Sequence, residues 1–317
     1  MGCPISVVLV FRNAGLWLGP SLASLAGERA LGFELIAVDD GSRDGSPERL
    51  QRLCAAWPEV SLQLLRGSGQ GFAAAAAQAL KRCSAPFVAF LRPGDRFLAG
   101  RLGGAINAFE DQPQLQQLHC GWQRLDQQGT SLGNEEPWRL HQSFSWSGLM
   151  QHRLVIPSCW TLQRQAALDA GNLNPRHGDL APLDLALRLT GAWQPKVLVR
   201  QRLMPPPPWL SHLHQLQNVL EPQWQRLPPS HASWSAEGCL DLTLEGAAMA
   251  WGARDNQAAL TLLSQVNDWS AMPLARRAPR LLEHLHRISR RHNLGWARER
   301  VLDSPFWSRC LEQLQWT

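Results

Sequence analysis

The 317-residue sequence predicts an α/β fold, a doubly wound and mostly parallel sheet with a helical extension at its C-terminal end. Three observations lead to this. Continuous apolar runs of strand length alternate with helical patterns through the first hundred residues, as expected for strands covered on both faces. Three of those runs end in polar punctuation, at Asn13, at Asp39-Asp40 and at Arg92-Pro93-Gly94-Asp95. Beyond the stiff Pro205-Pro206-Pro207-Pro208 stretch the pattern turns helical. The boundary placed there gives an α/β domain over residues 1–204 and a mostly helical extension over 205–317.

The elements follow in chain order. Ile5–Phe11 is an apolar run of strand length, and a helix follows with Leu16, Leu22 and Leu25 on one face. Residues 33–38 form the second strand. The next helix opens with Ser46 as its N-cap, Pro47 at the first helical position and Glu48 in the first turn. Residues 60–65 are the third strand, and Gly67–Gly71 leads into an alanine-rich helix over Phe72–Arg82. The fourth strand is 87–91. From 115 to 202 the pattern is mixed, with a strand at 158–162 and helices at 164–170 and 182–190.

Composition excludes several classes. With 44% apolar residues the chain is globular, yet no run is long enough to span a bilayer, and no secretory leader is read at the start. Seven scattered cysteines without a Cys-x-x-Cys spacing argue for a reducing compartment and against structural zinc. The expected location is therefore cytoplasmic. The net charge of +5 is uneven, with eight arginines against two glutamates between Arg276 and Arg300. That run reads as a solvated helix face, or as a surface for an acidic glycan acceptor or for anionic lipid headgroups, peripheral at the inner face of a membrane. No nucleic-acid motif is present.

The strand Pro4-Ile5-Ser6-Val7-Val8-Leu9-Val10-Phe11-Arg12-Asn13 and the strand-turn Glu34-Leu35-Ile36-Ala37-Val38-Asp39-Asp40-Gly41-Ser42 carry a resemblance. So do Leu162-Gln163-Arg164-Gln165-Ala166-Ala167-Leu168-Asp169-Ala170-Gly171 and Leu185-Ala186-Leu187-Arg188-Leu189. Together, over about residues 4–202, they resemble family-2 glycosyltransferases, which have the GT-A (nucleotide-diphospho-sugar transferase) fold. The resemblance implies a nucleotide-sugar donor, a glycan, lipid-linked or small acceptor, and inverting transfer. It implies that Asp40 reads the base, with Asp39 supporting the turn or the ribose. Val10, Phe11 and Asn13 would line the donor site, and Gly71 would let the backbone approach the phosphates.

The sequence departs from the family pattern at three places. Ala73, Ala76 and Ala77 stand where the family places a serine and an Arg-Asn pair that touch the nucleotide. The family's Asp-x-Asp, which holds Mg²⁺ or Mn²⁺ against the diphosphate, is reduced to Arg92-Pro93-Gly94-Asp95. Asp95 is then the one remaining metal ligand. Arg92 stands in the place of the metal's charge, where a guanidinium grips phosphate oxygens. Ala181-Pro182 replaces the pair that carries the family's general base, and Asp179, just upstream, is the nearest substitute. Arg200 or Arg202 would add positive charge near the leaving group. Two further readings compete. One is a catalytically inactive GT-A domain that binds a nucleotide, glycan or partner. The other is a dinucleotide oxidoreductase, suggested by Gly67-Ser68-Gly69-Gln70-Gly71 but lacking the Gly-x-Gly-x-x-Gly spacing.

Overall fold

The computed structural model describes residues 2–139, 143–146, 149, 155–203, 208–226 and 232–264, with isolated positions beyond. The arginines of the basic run at 276–300 and most of the polyproline stretch lie outside the described residues. The chain divides into two compact units, Met1–Arg202 and Leu203–Thr317.

The first unit is built on one sheet in the order β3-β2-β1-β4-β8-β6-β9-β5. Its N-terminal half is wholly parallel: β1 (Ile5–Phe11) lies between β2 (Phe33–Asp39) and β4 (Phe87–Phe90), and β3 (Ser61–Arg66) pairs with β2. The apolar β1 and β2 are buried because helices cover both faces, and Ile5, Val7, Leu9, Leu35 and Ala37 have no solvent exposure. β3 sits at the edge, so it keeps Ser61, Gln63 and Arg66 in solvent. The helices between these strands are α1 (Gly15–Ala23), α2 (Ser46–Cys54) and α3 (Phe72–Arg82).

Beyond β4 the sheet mixes directions. β5 (Arg96–Phe97) and α4 (Arg101–Asp111) precede β6 (Gln117–Leu125) and β7 (Ser131–Glu135). β8 (Trp160–Gln163) runs antiparallel between β4 and β6. After the short helices α5 (Arg164–Asp169) and α6 (Ala181–Ala186), β9 (Gly191–Arg202) pairs parallel with β6 and antiparallel with β5. The second unit contains α7 (Trp209–Gln225), α8 (Ala232–Gly252) and α9 (Asn256–Ser264).

Four sequence expectations are corrected. Leu16 is 77% exposed, and the buried leucines of α1 are Leu18 and Leu22, an i, i+4 pair, while Leu25 is buried beyond the helix's end. Ser46 does not cap α2. Gly45 precedes that helix at φ 72°, while the Ser46 hydroxyl accepts the Ala14 N–H at 2.9 Å and donates to Asp44. The helix expected at 182–190 is the shorter α6. The mixed region also holds β6, β7 and a twelve-residue β9 that apolar periodicity does not reveal. β6 buries Gln117 and His119 completely because their polar atoms are paired. The Gln117 amide donates to the Ala186 and Leu189 carbonyls at 2.8 Å and accepts the Trp160 indole N–H at 2.9 Å.

Candidate functional site

In open α/β sheets, ligands sit beyond the carboxyl ends of strands, where the strand order reverses. That point lies between β1 and β4, since β2 and β3 extend one way and β4 the other. Here the chain leaves Phe11 for Asn13 and leaves Phe90 for Arg92. Val10 is half-buried, whereas the Phe11 ring is committed to the core.

Asn13 adopts φ 49°, a left-handed conformation tolerated by asparagine. Its N–H donates to Ser42 Oγ at 2.9 Å, and its side-chain oxygen accepts the Arg43 N–H at 2.8 Å. The loops after β1 and β2 are thereby tied together. Asp44 strengthens the tie by accepting the Ser46 hydroxyl and, at 3.1 Å, the Gly15 N–H at the start of α1. Those bonds hold its carboxyl below the usual aspartate value.

The two acids after β2 have different tasks. Asp39 Oδ1 accepts the Ser42 N–H at 2.9 Å and so closes the turn. Asp40 is 2% exposed, and its N–H donates to the Phe11 carbonyl at 2.9 Å. Its carboxylate accepts two backbone N–H groups from the glycine loop, Gly69 at 2.8 Å and Gly71 at 2.7 Å. Each oxygen retains a second lone pair. Gly71 has φ 89° immediately before α3, whose free first-turn N–H groups favour an anion. Ala73 and Ala76 are buried in that helix.

The turn after β4 is fixed from three directions. Asp95 is 2% exposed; Oδ2 accepts the Ser158 hydroxyl at 2.6 Å and Oδ1 accepts the Arg202 N–H at 2.9 Å. Its carbonyl accepts the Ser21 hydroxyl at 2.8 Å. Ser158 Oγ also receives the Arg92 N–H at 3.0 Å. Burial pushes the Asp95 carboxyl above its ordinary value, against the pull of Arg92, the Ser158 hydrogen bond and Arg202. The Arg92 guanidinium is half-buried and has no hydrogen-bond partner among the described residues. Arg202 is otherwise engaged: it stacks 4.5 Å over Trp17 and donates to the carbonyls of Asp126 at 3.3 Å and of Gln127. Arg200 is exposed.

These residues do not make a chelate for a divalent cation. Asp95 is the one carboxylate of its turn, Pro93 and Gly94 supply none, and no group of three His, Cys, Asp or Glu side chains assembles among the described residues. Asp179 is exposed, in the 3₁₀ segment Pro175–Leu180 that packs on α3. Ala181 and Pro182 are buried at the start of α6. Asp184 is structural, pairing with Arg188 at 2.7 Å and lying 3.1 Å from His177. Sequence reasoning did not find Ser158 or Ser21, because nothing local marks a hydroxyl that serves a turn 63 or 74 residues away.

Comparison with known proteins agrees with this architecture. The family model described as Glycosyl transferase family 2 matches residues 6–169. An uncharacterized glycosyltransferase of Rickettsia bellii is 27% identical over 128 residues, which is 40% of this chain and 18% of that relative's length. Among solved structures, S. aureus TarS 1–349 in complex with UDP has a TM-score of 0.55 at 14% identity, covering 84% of this chain and 91% of its own. The mannosyltransferase PcManGT of Pyrobaculum calidifontis, in complex with GDP-Man and Mn²⁺, has a TM-score of 0.59 at 15% identity, covering 91% of this chain and 86% of its own. The fold is thus GT-A, and in that fold a divalent metal can accompany the donor.

Proposed function

The chain belongs to glycosyl transferase family 2, and from that premise we propose that it transfers a sugar from a nucleotide-sugar donor to a glycan, lipid-linked or small acceptor, with inversion. The observation that carries the reading is the switch point itself. An acid-locked glycine loop stands on one side of β1, and an unpartnered arginine stands on the other.

Asp40 holds the glycine loop and keeps lone pairs with which to accept a base N–H. Asp39, Asn13 and Val10 shape the floor, and Gly71 brings the α3 N-terminus close to the phosphates. Arg92 takes the diphosphate, so its charge stands where the family's metal would stand. Asp95 serves this step by fixing the Arg92 turn. In the reaction an acceptor hydroxyl oxygen bonds to the anomeric carbon while the bond to the diphosphate oxygen breaks. Asp179 receives the hydroxyl proton, and the nucleoside diphosphate leaves against Arg92.

A second reading is a GT-A domain that binds its ligand without turning it over. It is favoured by the burial of Ala181-Pro182 at the family's base position and by the lack, among the described residues, of further ligating side chains beside Asp95. Calorimetric titration with UDP, GDP, UDP-GlcNAc and GDP-Man, in Mn²⁺ and again in EDTA, tests both. The metal-free reading expects binding that survives EDTA and is lost in Arg92→Ala. Binding that needs Mn²⁺ reinstates Asp95 as a ligand. Absence of binding by a folded sample removes the donor reading altogether. Binding without turnover across an acceptor panel selects the inactive domain.

A further inference from the structure

Arg96 on β5 and Arg200 on β9 are Cα partners in an antiparallel pair. Directly opposed side chains in such a pair share a face at close range, and two like charges there are destabilising. No carboxylate among the described residues forms an ion pair with either of them. Neither arginine has an ion pair among the described residues, and the Nε of Arg96 is buried without a hydrogen-bond acceptor. The nearby acids are committed elsewhere: Glu135 to Arg124 at 3.4 Å, Glu136 to Arg139 at 2.7 Å, and Asp126 to the Thr130 N–H at 2.7 Å.

The register continues the row. Arg200 is aligned with Gln123 on β6, and Gln123 with Asn134 on β7. Neither amide side chain has a hydrogen-bond partner among the described residues. Arg200 and Asn134 are exposed, and Arg96 and Gln123 are half-buried. Two guanidiniums and two amides therefore cross four strands in one line, over about 14 Å at the usual strand spacing. The line begins one residue beyond Asp95, beside the turn that presents Arg92. Amides suit sugar hydroxyls, and a close guanidinium pair suits an oxyanion with two or three acceptor oxygens.

We propose that Arg96, Arg200, Gln123 and Asn134 form the acceptor subsite, and that the acceptor is a carbohydrate or polyol bearing a phosphate or carboxylate. This rests on the transferase reading above. The free protein bears the repulsion of the arginine pair, and the acceptor's anion relieves it.

The test follows melting of the full chain in chloride buffer at constant ionic strength, with added inorganic phosphate, glycerol 3-phosphate, glucuronate or glucose. UDP titration by calorimetry runs alongside. The expected result has three parts. Arg200→Gln melts higher than the wild type in chloride alone. An anionic probe raises the wild-type midpoint while glucose does not, and the apparent affinity for that probe falls at least tenfold in Arg200→Gln but is kept in Arg200→Lys. UDP affinity stays within twofold in both variants. The phosphate and carboxylate arms then identify the anion by which shifts the midpoint at lower concentration. Equal anion responses in the wild type and Arg200→Gln overturn the proposal. So does a tenfold loss of UDP affinity in Arg200→Gln, which would give the pair to the donor diphosphate. A wild type that responds to the anions but binds no nucleotide overturns the transferase reading instead, and leaves the row as an anion site.

Discussion

Ser158 and Asp95, 63 residues apart in the chain, are joined by a 2.6 Å hydrogen bond in which the hydroxyl donates to a fully buried carboxylate oxygen. The same hydroxyl oxygen receives the Arg92 N–H. One serine thus sets both the acid and the cation of the turn. Ser158→Ala leaves a buried carboxylate oxygen and a backbone N–H without partners, at a cost of about 2–3 kcal/mol. Urea unfolding checks this, with a lower midpoint expected at an unchanged slope. An unchanged midpoint would mean that water or a neighbour replaces the hydroxyl freely.

Gly67 is required by Asp40. A Cβ at position 67 would meet Asp40 Oδ1 at 2.6 Å and the Asp40 Cα at 3.1 Å. The second contact is with backbone and cannot swing away. Gly67→Ala is expected to cost about 1–3 kcal/mol and to weaken UDP or GDP binding at least tenfold. Full nucleotide affinity in that variant would show that the glycine loop does not need the Asp40 carboxylate in place.

The role proposed for Asp179 is the one most easily separated from folding, since the residue is exposed and no described residue bonds to its side chain. Asp179→Asn is expected to leave melting and donor affinity unchanged while turnover falls by roughly 10²–10⁴. Single-turnover assays with the acceptor identified by the anion screen supply the measurement. Retained turnover would assign the proton to another group or to water.

His119 provides a pH signature. Its Nδ1 lies 3.0 Å from the Cys120 carbonyl oxygen and its Nε2 accepts the Ile156 N–H at 2.9 Å, which fixes a neutral imidazole. Burial drives its pKa from 6.5 down to about 3. Below pH 6.5 the unfolded chain takes up a proton that the folded imidazole refuses. Stability is therefore fully present above 6.5 and is lost as pH falls toward 3, at about 1.4 kcal/mol per pH unit. His119→Gln is expected to flatten that slope between pH 6.5 and 5, whatever it does to the overall level. Denaturant titrations of both proteins at three pH values decide it, and parallel slopes would exclude His119 as the source.

The parallel half of the sheet was legible in the sequence because its strands are continuous apolar runs. Where strands bury polar residues, as β6 does with Gln117 and His119, the pattern fails, since satisfaction of their hydrogen bonds depends on partners far along the chain. The Ser46 assignment failed for the same reason: a serine before a proline suits a helix cap, but its hydroxyl is claimed by α1. Leu16 misled because an apolar residue near the start of a helix need not lie on the inner stripe. In the site, the positions of Asp40 and Arg92 at strand ends follow from topology and were readable. What Asp40 and Asp95 hold was not, because their partners are backbone N–H groups of loops that only the folded chain brings near.

The Arg92–Asp95 turn takes its bonds from Ser21, Ser158 and Arg202, at separations of 74, 63 and 107 residues from Asp95. Contacts that distant require large loops to close before they contribute, and local helix formation supplies none of them. The Arg92–Asp95 turn is therefore expected to form late in folding. A refolding chain is expected to recover its helical circular dichroism first, and the proposed nucleotide binding only when the first unit is complete.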